Sequence, residues 1–160
     1  MGDRPASPAR ADNGKLSTLP QLHRFITGHN PSGQAIVHSH NDFLWKPYDA
    51  DQLAFSVAYT TSEFPPDLND NKDVESHHAT IASDNLGLVN PRGTVLRCVD
   101  FAPGYACGMH RTQSLDYGIV IEGEWARMMF VLQDCKPLVV GGEVYGEDLG
   151  TNSGLPPSGN

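Results

Sequence analysis

Four short runs of β-branched and aromatic residues constrain this chain most: LAFSVAYTT at 53–61, VLRCVDF at 95–101, YGIVIEGE at 117–124 and RMMFVLQ at 127–133. Each has the length of a β-strand and falls far short of the ~20 apolar residues that span a bilayer. In the first run Leu53, Phe55, Val57 and Tyr59 alternate onto one side, the period-two pattern of a half-buried strand. Upstream, LHRFITGHN and QAIVHSH flank Pro31-Ser32-Gly33, whose fixed and permissive dihedrals suit a chain reversal, so two further strands are expected around that turn. Between 61 and 95 the strand pattern breaks at Pro65-Pro66. Val74, His77, His78 and Ile81 then recur at the spacing of about two turns of amphipathic helix, with His77-His78 expected on its solvated face.

The 12 prolines and 16 glycines among 160 residues punctuate more than they propagate, which favours a mostly β protein over a helical bundle. That length fits one domain with one core. Residues 1–20 are rich in Pro, Gly, Asp and Ser and read as a disordered tail; 21–145 form the β domain; 146–160 read as an irregular C-terminal tail. Nineteen acidic against eleven basic residues give a net charge of −8 with no Lys/Arg cluster, which excludes nucleic acid as the expected partner. With neither an apolar signal core nor a membrane segment in view, a cytoplasmic location is expected. Cys98, Cys107 and Cys135 are odd in number and show no CxxC, so they read as reduced thiols that pack as small apolar residues.

One stretch carries chemistry. Residues 104–123, GYACGMHRTQSLDYGIVIEG, place Gly104, His110, Thr112, Asp116 and Gly123 at the spacing G(x)5HxH(x)3-4E(x)6G, which resembles the first motif of the cupins. More narrowly, LHRFITGHN, GTVLRCVDFAPG, MHRTQSLDYGIVIEGE and EWARMMFVLQDCKPL are similar to small fungal cupin-domain oxidoreductases associated with polyketide gene clusters, over roughly residues 20–160. The resemblance implies a single cupin-like jelly-roll barrel. Here it would be truncated, because IEGE runs straight into WARMMFVLQ where the family's second motif, with its last histidine ligand, would fall, and no histidine follows His110. By the strand lengths involved, roughly 30 residues are absent.

The resemblance further implies metal-dependent oxidation of a small aromatic or polyketide-like molecule. His110 and Asp116 would be both the catalytic residues and the ligands of a divalent iron, manganese, zinc or nickel ion. Thr112 replaces the motif's second histidine and Asp116 its glutamate, so two strong donors stand where a catalytic ion generally has three. The expected site is degenerate. Two alternatives follow: a non-catalytic binding or interaction protein, and a metal-independent isomerase or cyclase using His110 as general base. Lost internal strands would leave unpaired backbone and an open core, so a homodimer is expected. Arg111 could grip an anion but suits a surface ion pair, and the His38/His40 pair stands outside the motif. Neither a nucleotide-binding glycine loop nor a GxSxG elbow occurs in a fitting context.

Overall fold

A computed structural model describes residues 14–123, 126–150 and 154–156. The strands are β1 His23–His29, β2 Ala35–Asp42, β3 Lys46–Tyr48, β4 Leu53–Thr61, β5 Thr94–Phe101, β6 Ser114–Glu122, β7 Arg127–Asp134, β8 Leu138–Val140 and β9 Glu143–Tyr145, with one helix, α1 Lys72–Ala82. β3-β4-β5-β7-β6 form an antiparallel five-stranded sheet; β1-β2 and β8-β9 are separate hairpins. The fold is mostly β with one short helix, as the sequence implies. Among the described residues the sheets stay open: the large one ends in β3 and β6 and does not close into a barrel.

Alternation along β4 and β5 gives the sheet two apolar faces. On one, Leu53, Phe55, Val95, Val99 and Leu132 pack with Leu88, Val89 and Leu155. On the other, Ala54, Ala58 and Cys98 meet Phe43 and Trp45, with Leu16, Leu22 and Met129 packed against them. The alternation of β4 stops at a bulge between Val57 and Tyr59, so Tyr59 leaves the face that the sequence assigns it and stacks on His77 of α1, ring centroids 4.5 Å apart.

One end of the inner strands β5 and β7 holds a buried ion pair. Asp100 and Arg127 are register partners, 0% and 1% exposed, with Arg127 Nε donating to Asp100 Oδ1 at 2.6 Å and Nη2 to Oδ2 at 3.2 Å. Arg127 Nη1 donates to the Pro20 carbonyl at 2.7 Å, the Ser17 hydroxyl donates to Asp100 Oδ2 at 2.7 Å, and the guanidinium lies 5.1 Å over the Trp45 ring. A desolvated pair persists only when its remaining hydrogen-bonding capacity is met, and this one recruits residues 17–20 to meet it. The N-terminal segment is therefore held to the sheet from Ser17 onward, earlier than the tail boundary at residue 20; residues 1–13 lie outside the described residues.

Two smaller expectations are corrected, the place of His77 and the burial of Cys107 and Cys135. His77 is not on the solvated face: with Val74 it is the buried side of α1, where its Nδ1 accepts from the Thr60 N–H at 3.2 Å. Cys98 packs as a small apolar residue, Cys107 is exposed and Cys135 half-buried, and all three are free thiols. The C-terminal segment is tied in as well, through an Arg111–Asp148 backbone bridge and the buried Leu155.

Candidate functional site

The motif folds as a loop feeding an edge strand. Gly104 and Gly123 bracket it with φ of +77° and +72°, the left-handed region where a side chain is strained, so both motif glycines are set by backbone geometry. His110 sits in the loop before β6 and Asp116 lies on β6. His110, Thr112 and Asp116 line one cavity of about 200 Å³ with Cys107 and Arg97. Its walls are otherwise apolar: Leu53, Phe55, Val99, Phe130 and Leu132 belong to the first face of the sheet.

His110 Nδ1 lies 2.9 Å from the Gly108 carbonyl oxygen, which can only accept, so Nδ1 carries a proton. Asp116 is exposed on the outermost strand. The fold thus brings the two expected site residues to one rim.

The donor chemistry does not fit a self-contained metal centre. Among the described residues no three His, Cys, Asp or Glu side chains group to hold an ion. At the cavity the donors are one imidazole, one carboxylate, a neutral hydroxyl and a thiol that burial pushes above its usual range. His38 and His40 stay apart from the cavity on exposed β2, where His40 stacks on Phe25 at 4.1 Å. Arg111 faces the C-terminal segment, donating from Nε to the Gly146 carbonyl at 2.6 Å, with Nη2 4.0 Å from Asp148.

Arg97 was not singled out by sequence, though a signal existed: Val95, Arg97, Val99 and Phe101 alternate, which puts a charge on the apolar side of β5. It is 3% exposed. Its Nη2 donates to the carbonyls of Gly87 and Leu88 at 2.8 and 2.9 Å, and its guanidinium stands 5.0 Å over the Phe55 ring. Burial draws its pKa down to about 10, so it remains a cation at neutral pH.

Comparison with known proteins places this architecture. No family model matches the chain. It is 30% identical to phomopsin biosynthesis cluster protein D of Diaporthe leptostromiformis over 189 aligned positions, covering 95% of this chain and 100% of that protein. It is 30% identical to the cupin-domain-containing oxidoreductase virC of Hypocrea virens, covering 88% and 95%. With the cupin-domain-containing oxidoreductase srdD of Neurospora crassa the identity is 32% over 106 positions, 66% of this chain and 52% of that protein. The chain belongs to this family of fungal cupin-domain proteins.

The alignments also measure the internal gap. Ninety-five per cent of 160 residues is about 152, spread over 189 positions, so about 37 positions of the phomopsin relative have no counterpart here. The 106 positions shared with srdD hold about 106 residues of this chain, hence no such gap; any window of that length contains residues 55–106. Residues Glu124 and Trp125, where the sequence reading places the junction, lie outside the described residues.

Proposed function

We propose that this protein acts in fungal secondary metabolism by taking a small aromatic or polyketide-like intermediate into the cavity beneath β5, β7 and β6, with His110 as the proton-transferring group at its rim and Asp116 beside it. One observation carries the reading: motif positions His110, Thr112 and Asp116 converge on a single pocket whose other walls, apart from Arg97 and Cys107, are apolar, the usual make-up of a small-molecule site. A positioned histidine is the side chain most often used for general acid–base proton transfer. The relatives' names support an enzyme of oxidoreductase class. Three free thiols suit a reducing compartment, and we place the protein in the cytoplasm on that ground; among the described residues no helix is long and apolar enough to cross a membrane.

A divalent ion of the iron, manganese, zinc or nickel kind would rest on His110 and Asp116 alone, and two protein donors hold such an ion weakly. Elemental analysis of protein dialysed against a mild chelator tests this. Metal well below one equivalent is expected; a stoichiometric ion lost in His110→Ala would overturn the two-donor reading. The cavity itself is tested with benzyl alcohol followed by amide resonances. Saturable shifts at Phe130, Leu132 and His110 are expected, abolished by the cavity-filling Val99→Phe, and uniform or absent shifts would refute it.

For quaternary structure we propose that a second copy of this chain pairs with the outer edge of β6. That edge ends the sheet, and Leu115, Tyr117, Ile119 and Ile121 along it are about half exposed. An antiparallel β6–β6 pairing centred on Gly118 sets Asp116 opposite Val120 and Ser114 opposite Glu122, so no like charges face each other. Sedimentation analysis should give a dimer mass; a monomer at tens of micromolar would overturn the proposal.

A further inference from the structure

Among the described residues two arginines are buried, Arg97 and Arg127, and they are satisfied differently. Arg127 has a carboxylate, a hydroxyl and a carbonyl around it. Arg97 has two carbonyls on one nitrogen, while its Nε is buried with no hydrogen-bond partner among the described residues, and no carboxylate of those residues lies within ion-pair distance. Asp116 lines the same cavity and supports the guanidinium through space, but it is exposed and screened by solvent. A buried cation without a compensating anion is expensive, and a site that keeps one is built to receive negative charge.

We infer that the cavity binds a small aromatic carboxylate, its carboxylate on Arg97 and its ring between Phe55, Phe130 and Leu132. The inference rests on the reading of this cavity as the ligand site and adds the ligand's class. The walls decide against a phosphate or a sugar, which would strand several polar groups on apolar surface. The volume sets the size: an apolar cavity of about 150 Å³ holds benzene, so about 200 Å³ takes one ring with a carboxylate and a small substituent. With the anion at Arg97, the ring shares the cavity with His110 and Asp116.

The test titrates the full chain with sodium benzoate and with neutral benzyl alcohol at constant ionic strength, read by calorimetry and by the Arg97 Nε–H resonance. Benzoate should bind at one site and shift that resonance, about ten- to hundredfold more tightly than the alcohol, as befits one charge-assisted hydrogen bond. Arg97→Met should remove that advantage while leaving benzyl alcohol within about twofold, and Arg97→Lys should keep part of it. Equal affinity for the two probes overturns the anion assignment and leaves the cavity reading standing; binding of neither overturns both. Should Arg97→Met fail to fold, the wild-type comparison and the Nε–H shift decide alone: a benzoate that binds without moving that resonance refutes the proposal.

Discussion

Strands β5 and β6 lie two places apart in one sheet, with β7 between them, and their apolar content is similar: TVLRCVDF against SLDYGIVIE. Their surroundings are opposite. β5 has neighbours on both edges and cover on both faces, so that even Arg97 and Asp100 are buried, whereas β6 is exposed along nearly its whole length. The difference lies in what the chain supplies around each strand. β5 falls within residues 55–106, which align with srdD without interruption, together with the Leu88–Val89 connection that packs on its first face. Strand character is local, and burial is a property of the neighbours.

The sharpest way to break this contrast is at the buried ion pair between β5 and β7. Asp100→Ala leaves Arg127 buried without its carboxylate and releases the Ser17 contact, and should cost about 3–5 kcal/mol of unfolding free energy in urea titrations. Ser17 and Pro20 would come away from the sheet with it, seen as faster amide exchange in residues 17–22. A loss below about 1 kcal/mol would mean that the pair does not anchor the N-terminal segment.

Next in size is truncation on the cavity face. Leu132→Ala, at a side chain 5% exposed in the first core, should cost about 2–5 kcal/mol by transfer and cavity terms together. The same method applied to β6 gives the comparison its other arm below.

Much of the scaffold was legible because it is written in local periodicity. The hairpin around Pro31-Ser32-Gly33, the runs that became β4, β5, β6 and β7, and a helix over Val74–Ile81 all appear where spacing and turn residues put them. Convergence of His110 and Asp116 was legible only through the family motif, since no local pattern tells which loop lies under which strand. The orientation of α1 was not legible: His77 and His78 are adjacent and chemically alike, and only the bulge that swings Tyr59 outward, with the Thr60 N–H in need of an acceptor, selects His77 for the interior. Arg97 and Asp100 were readable as charges inside strand patterns, but their burial depends on partners tens of residues away.

His77 supplies a pH test of the buried arm. Burial, then the nearby Arg24 charge, lowers its pKa from 6.5 to about 4. Nδ1 accepts from the Thr60 N–H, so the ring proton sits on Nε2, 3.3 Å from Arg24 Nη1, and that contact is two donors facing rather than a hydrogen bond. In the unfolded chain the ring takes its proton as pH drops below 6.5; in the fold it stays neutral down to about 4. The stability it contributes is therefore complete above pH 6.5 and lost as the pH falls from 6.5 toward about 4, by a few kcal/mol at most. Urea midpoints between pH 7 and 4 should fall more steeply in wild type than in His77→Asn, which keeps an acceptor for Thr60 and has nothing to titrate. Carboxylates contribute equally to both proteins, so parallel curves would show that His77 is not held neutral.

The smallest effect is expected at the exposed arm, and it separates two explanations of β6. Ile119 is 50% exposed and pairs with Met129 at the border of the second core. If β6 faces solvent in a monomer, Ile119→Ala removes a side chain that is only half desolvated and should change stability by about 0.5 kcal/mol or less at any protein concentration. If a second copy covers the edge, the same substitution weakens association, and the wild-type unfolding midpoint, unlike that of the variant, rises with protein concentration by mass action. Unfolding both proteins at two concentrations a hundredfold apart distinguishes the cases. A concentration-independent midpoint in wild type would leave β6 a bare edge.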